Sequence, residues 1–213
     1  MVFPKPYAHP SQQIATYDWV DLASGTGYVN YTCHSSQTSG AAVDYHLTTS
    51  DTLYSQTIET LGSSTALDID FDLTPFNFPT IIDGTAIVNF VMYGQSTVDS
   101  VFDVTCTVYV RKWNGTTETD IGSVQIPNSR INGTETHKRI RTAQIDLTKT
   151  TFKKGDVLRV TFNLGYNLIS GSGVYIVLGH DPRNRDGTYI IPSTDDPDTF
   201  TNTTISIPYE IRD

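Results

Sequence analysis

"ALDIDFDL", residues 66–73, is the stretch on which the fold turns. From Leu67 onward the apolar residues Leu67, Ile69, Phe71 and Leu73 alternate strictly with Asp68, Asp70 and Asp72. Successive side chains of a strand point to opposite faces, whereas a helix would spread the carboxylates around its circumference. The segment therefore predicts a strand with one face in a core and the other bearing three acids about 6.5–7 Å apart.

Reading outward, the same logic extends downstream. "FPTIIDGTAIVNFVMYG" (residues 78–94) reads as a long apolar strand following an Asp83-Gly84 turn, with "SVFDVTCTVYVRKW" (residues 100–113) as its successor. Asn114-Gly115 then predicts an antiparallel hairpin that pairs "TVYVRKW" with "ETDIGSVQI", because Asn and Gly tolerate positive φ at tight turns. Further strands follow at "HKRIRTAQIDL" (137–147), at "TKTTFKKGDVLRVTFNLGY" (148–166) with a Lys154-Gly155-Asp156 corner, at "SGVYIVLGH" (172–180) and at "NTTISIPYEI" (202–211). Upstream, residues 14–61 alternate poorly. "TGYVNYTCH" (26–34) and "TLYSQTIETL" (52–61) read as strands, with a short amphipathic helix over Leu53–Leu61 as the one exception the pattern allows. Pro4, Pro6 and Pro10 make residues 1–13 an extended N-terminal arm. Some eight strands with turn signals between them predict an all-β fold, a single antiparallel β-sandwich of jelly-roll type over residues 14–213.

Composition agrees with that class and narrows the function. Tyrosines number 12 against 2 tryptophans, and only 17% of residues are charged, so polarity rests on Thr, Ser, Asn and Gly, residues of strands and turns more than of helices. A net charge of -9 argues against nucleic acid as a partner, since phosphate binding needs clustered cations. No apolar run approaches the length of a membrane helix, and "MVFPKPYAHPSQQ" lacks a basic segment followed by an apolar one; the expectation is a chain made in a host cytoplasm, without membrane contact. Cys33 and Cys106 sit in strand-like runs with no CxxC spacing. They read as two buried thiols in preference to a disulfide, and not as metal ligands. Four Asn-X-Thr sequons, at Asn30, Asn114, Asn132 and Asn202, are expected to stay bare in a chain without an export signal.

Chemistry-bearing residues crowd most densely into "LGHDPRNRDGTYIIPS" (residues 178–193), with His180, Asp181, Arg183, Arg185, Asp186 and Tyr189. Asp-Pro and Asp-Gly dipeptides explain most of it as turn chemistry. As an acid-base pair His180 and Asp181 are awkward, because neighbours on an extended chain face opposite ways. The favoured reading is an interface or ligand loop in which Arg183 and Arg185 meet the acids Asp195, Asp196 and Asp198, within one subunit or across an interface. The Asp68, Asp70, Asp72 row lacks the glycine and terminal glutamate of a calcium loop and reads as a solvated face. His137, Arg139 and Arg141 also alternate, which makes a salt-bridge ladder with that row, on a neighbouring strand or subunit, the alternative. "FNF" (76–78) and Tyr166, Tyr175, Tyr189 and Tyr209 offer rings for a sugar platform, or for a core. With no G-x-S-x-G, H-E-x-x-H or phosphate-cradling glycine loop, the expectation is a protein that is not an enzyme and needs no cofactor or metal.

"FKKGDVLRVTFNLGY", the preceding "TAQIDLTKTT" and the closing "TTISIPYEI" resemble the single jelly-roll virion proteins of viruses and phages. The likeness spans roughly Leu67 to Ile211 and implies a capsid, decoration or other virion component. Together with the N-terminal arm, it leads to the expectation of a structural protein of the virion that forms symmetric homo-oligomers and contacts other virion proteins. A carbohydrate-binding module or receptor-binding head that meets a glycan is the alternative.

Overall fold

The structure is a computed structural model that describes residues 26–36, 44–49, 58–61, 67–96, 98–132, 139–180 and 203–210. The arm expected over residues 1–13 lies outside them. Among the described residues are eleven strands: β1 (Thr26–Ser36), β2 (Asp44–Thr48), β3 (Ile58–Leu61), β4 (Leu67–Leu73), β5 (Thr80–Ser96), β6 (Val101–Trp113), β7 (Glu118–Asn132), β8 (Arg139–Phe152), β9 (Val157–Ser170), β10 (Val174–Gly179) and β11 (Thr204–Glu210). The all-β expectation holds. Of the stretch read as a strand or, as the one exception, a helix, residues 52–57 lie outside the described residues, and Ile58–Leu61 is a short strand, where pairing with Ile176–Gly179 of β10 prevails over the helical alternative.

All eleven strands join one sheet, in the order β3-β10-β5-β11-β1-β2-β4-β9-β6-β7, with β8 on β5. β5 organises the first half. Its residues 80–92 pair with β8 on one edge, while β11 and β10 follow one another along the opposite edge, at residues 82–89 and 91–96. β4, β9, β6 and β7 form the second half. The sheet curls so that these halves face one another as a β-sandwich of jelly-roll-like type. Phe90 of β5 meets Phe162 of β9, strands that share no hydrogen bonds, with ring centroids 5.4 Å apart, and Phe71 of β4 stands edge-on to Phe162 at 5.9 Å. One pairing departs from the antiparallel expectation: β2 runs parallel to β4, with His46 beside Asp72 and Leu47 beside Leu73.

Alternation builds the core as the sequence implies. Ile69 and Phe71 are buried while Asp68 is exposed; on β6 the odd-numbered residues are half-buried, and Phe102, Val104, Cys106, Val108 and Val110 face inward. Cys106 is buried and forms no disulfide, so it and Cys33 are not joined. The free edges of the two halves draw together at β7 and β8. There a Cβ on Gly122 would lie 2.7 Å from the Asp146 carbonyl, so only glycine admits the close approach.

Turn chemistry explains the corners, with one correction. In the β6–β7 hairpin the Asn114 side chain accepts from the backbone N–H groups of Thr116 (3.0 Å) and Thr117 (2.8 Å), and Gly115 takes φ +92°. At the β8–β9 corner Gly155 has φ +92°, and Asp156 accepts from the Lys153 N–H (2.7 Å) and from Lys112 Nζ (2.8 Å). Burial pushes the Asp156 carboxyl up, but Lys112 and the Lys153 amide outweigh it and hold it below its usual range. Asp83-Gly84, expected to be a turn, is instead a β-bulge inside β5: the ladder to β8 slips a residue there and Gly84 has φ +120°. The same tolerance of positive φ serves a bulge as well as a turn.

Beneath β1 and β11 the hydroxyls of Tyr31 and Tyr209 share a hydrogen bond of 2.7 Å. Burial pushes Tyr31 up to about 12, against a lowering contribution from its bond to Tyr209, and burial likewise lifts Tyr209 well above its ordinary value. Unfolded tyrosine ionises at about 10. The stability these neutral hydroxyls provide is therefore complete below pH 10 and is lost as the pH rises from there toward 12. In an alkaline titration followed by tyrosinate absorbance, these two are expected to ionise only with unfolding, and Tyr31→Phe to leave one late-ionising tyrosine. Ionisation of all tyrosines in a single step near pH 10 would contradict the pairing.

Candidate functional site

The most organised polar arrangement is the outer face of β4, β9, β6 and β7. Register fixes it: Asp68, Asp70 and Asp72 of β4 lie opposite Asn163, Thr161 and Arg159 of β9, and Arg159 lies opposite Arg111 of β6, which in turn faces Asp120 of β7. Arg159 grips Asp72 with two parallel bonds, Nε to Oδ1 at 2.7 Å and Nη2 to Oδ2 at 2.8 Å, and its Nη1 reaches Glu118 at 2.9 Å and Asp70 at 3.2 Å. Its guanidinium lies over the Trp113 ring, 5.1 Å from the centroid. Arg111 repeats the arrangement at the next column, with Asp120 at 2.7 Å, Glu118 at 3.0 Å and the Tyr109 ring 4.4 Å beneath. Thr161 links the two, accepting from Arg111 (3.2 Å) and donating to Asp70 (2.6 Å), while Asn163 donates to Asp68.

Four carboxylates, Asp70, Asp72, Glu118 and Asp120, thus surround two arginines that are each stacked on a ring. Asp72 first, then Glu118, holds Arg159 firmly protonated, against the opposing effect of burial. Bidentate, stacked arginine is geometrically demanding, and the face is a braced plate of mixed charge rather than a set of mobile surface groups. Among the described residues no group of three or more His, Cys, Asp or Glu is placed to hold a metal ion.

The structure distributes the residues singled out in the sequence differently from the expectation. Arg139 and Arg141 sit on β8 beside Met92 and Phe90 of β5, on the half of the sheet that does not contain β4, so they form no neighbouring-strand ladder with Asp68, Asp70 and Asp72. Arg141 bonds Ser129 of β7 instead. The acids take their partners from β9, a strand some 90 residues downstream whose position no local pattern reveals. The reading of that row as a merely solvated face is replaced by these contacts. Half of the network was nevertheless legible: the Asn-Gly hairpin sets Arg111 against Asp120.

His180 is fully buried at the end of β10, edge-on to Tyr45 at 5.6 Å and to Phe71 at 5.7 Å, and is thus part of the core wall. Asp181, Arg183, Arg185, Asp186 and Tyr189 lie outside the described residues, as do His137 and the acids Asp195, Asp196 and Asp198. The rings proposed as a sugar platform do not converge among the described residues. Phe76 packs on Phe152 and Tyr209, Tyr166 packs on Phe102, and the exposed Phe78 and Tyr175 mark opposite ends of β5, roughly 50 Å apart.

No family model and no curated protein matches the chain. Among solved structures, a CocE/NonD family hydrolase from Staphylococcus aureus is similar at 13% identity and a TM-score of 0.47, over 84% of this chain and 36% of that one. An α-amino acid ester hydrolase is similar at 14% identity and a TM-score of 0.35, over 68% of this chain and 25% of that one. A chain from a structure of infectious bursal disease virus, Gt strain, follows at 12% identity and a TM-score of 0.26, covering 73% and 38%. The chain therefore spans little more than a third of the length of the hydrolase it matches best among these. The presence of hydrolases here corrects the expectation, drawn from missing motifs, that the chain is not an enzyme; likeness at this level assigns it no reaction.

Proposed function

We propose that the chain is a structural subunit of a virus particle, a capsid, decoration or other virion component. It associates with itself and with other virion proteins through the sandwich surface and the N-terminal arm. The observation that carries this reading is the braced face of β4, β9, β6 and β7, where charge is locked by bidentate and stacked contacts into a fixed relief. A surface of that kind loses little side-chain freedom when another protein covers it, which is what repeated docking in a particle requires. Its resemblance in residues 142–166 and 203–211 to jelly-roll virion proteins supports the same reading.

The arm provides the test. Deleting residues 1–13 is expected to leave the unfolding free energy within about 0.5 kcal/mol of the full chain, since no described strand is removed, while reducing the mass of the assembly measured by light scattering. An unchanged assembly mass counts against the arm's role. A truncated chain that no longer folds would make the arm part of the domain and overturn it equally.

A further inference from the structure

At the corner where the β4–β5 loop meets the β8–β9 turn, Phe78 is the most exposed of the described large apolar side chains, at 77%. The loop that carries it is nevertheless fixed. Pro75 and Pro79 restrict its backbone, and Thr80 Oγ1 donates to the Phe78 carbonyl at 3.2 Å. The Phe76 N–H donates to the Asp156 carbonyl (2.9 Å) and the Gly155 N–H to the Phe76 carbonyl (2.8 Å), while Thr80 stands opposite Phe152 across β5 and β8. Residues 77–79 are thereby laid alongside Lys153 and Lys154, both exposed. The Phe76 ring packs on Phe152 with centroids 5.1 Å apart, so the Phe78 ring stands out from a rigid base.

The ion pairs of this end leave those two lysines over. Asp83 and Glu210 are held by Lys149 (3.3 and 2.8 Å), and Asp156 by Lys112 (2.8 Å) and the Lys153 N–H (2.7 Å). Glu118 and Asp120 are held by Arg111, and Asp72 by Arg159. Among the described residues neither Lys153 nor Lys154 forms an ion pair of its own. At the other end of β5, by contrast, Asp99 is exposed.

We propose that this corner is a peripheral membrane contact, in which the Phe78 ring enters the headgroup layer of an anionic bilayer and Lys153 and Lys154 meet its phosphate and carboxylate groups. A ring on a fixed loop loses little freedom on insertion, and the long lysine stems let the ammonium groups stay among the headgroups while the ring goes deeper. A glycan needs a concave platform with converging polar groups, whereas this tip protrudes. Nucleic acid needs more clustered cations than two. An acidic protein surface would satisfy the lysines but leave the ring in water unless it also supplied a pocket. The expectation of a chain without membrane contact rested on the lack of a spanning segment, and a peripheral contact needs none. The inference goes beyond the virion reading and stands whether or not that reading holds. One ring and two ammonium groups make a weak contact, which strengthens where several copies meet one bilayer.

Co-sedimentation of the full chain with vesicles at millimolar lipid and physiological salt tests this. Vesicles of phosphatidylcholine and phosphatidylserine in equal parts are expected to carry down the wild type, and phosphatidylcholine alone to carry down at least about fivefold less. Phe78→Ser is expected to lower partitioning into the mixed vesicles by about tenfold or more, and Phe78→Trp to retain it. Lys153→Gln combined with Lys154→Gln is expected to abolish the preference for phosphatidylserine, while Tyr175→Ser, at the other end of β5, changes nothing. Unaltered circular dichroism confirms folding in each case. A wild type that stays in the supernatant overturns the proposal, as does binding that survives Phe78→Ser or that Tyr175→Ser removes. Retention on immobilised heparin without vesicle binding would assign the lysines to a soluble polyanion and overturn it equally.

Discussion

Replacing Phe162 by alanine is expected to cost about 3–5 kcal/mol, the largest effect of any single substitution considered for this chain. The Phe162 ring is fully buried and is the point at which the two halves of the curled sheet touch, with Phe71 beside it on β4 and Phe90 facing it from β5. Its removal takes away transfer free energy and leaves a cavity that the strands, held at both ends by hydrogen-bonded neighbours, cannot close. Phe78→Ala provides the contrast, since that ring is 77% exposed and buries almost nothing. In urea unfolding the first variant should shift the midpoint strongly without altering the slope, and the second should barely move it. A loss below about 1 kcal/mol for Phe162→Ala would mean that the halves do not pack on one another.

The second large effect is expected at Arg159. Methionine there keeps much of the volume but removes the charge that Asp70, Asp72 and Glu118 share. Stranding one side of a buried ion pair costs about 3–5 kcal/mol. Because the Arg159 side chain retains 17% exposure and its acids more, solvent screens part of this, and about 1–3 kcal/mol is expected. Lysine should recover less than half of the loss, because an ammonium cannot form two parallel bonds to Asp72 or stack flat on Trp113. Adding Asp72→Asn to Arg159→Met should restore part of the stability, and a double-mutant cycle reads the coupling directly. Strict additivity of the two substitutions would show that the bidentate pair contributes nothing.

These two sites also mark what the sequence discloses and what it withholds. Phe71 and its alternating acids are legible because a strand's period of two is a local property, and so is the β6–β7 hairpin, whose Asn114-Gly115 corner fixes the register of Arg111 against Asp120. The approach of β9 to β4 is not local. Nothing in residues 67–73 reveals that Arg159 will stand beside Asp72, and the nearer row of Arg139 and Arg141 is an equally good electrostatic match that the topology sends to the other half. Asp83-Gly84 misleads for a different reason: glycine's positive φ is compatible with two structures, and the length of β5 decides between them only once its partners on both edges are known. Function was the least legible of all. The absence of motifs pointed away from an enzyme, but the absence of a short motif is not a physical observation about the surface that folding assembles.

The central functional claim is tested most directly by counting the chain in purified virus particles, using quantitative mass spectrometry against the other particle proteins. The account predicts a fixed copy number per particle that matches a symmetric arrangement and persists after washing in high salt. Absence from particles, or a variable trace removed by washing, would contradict it.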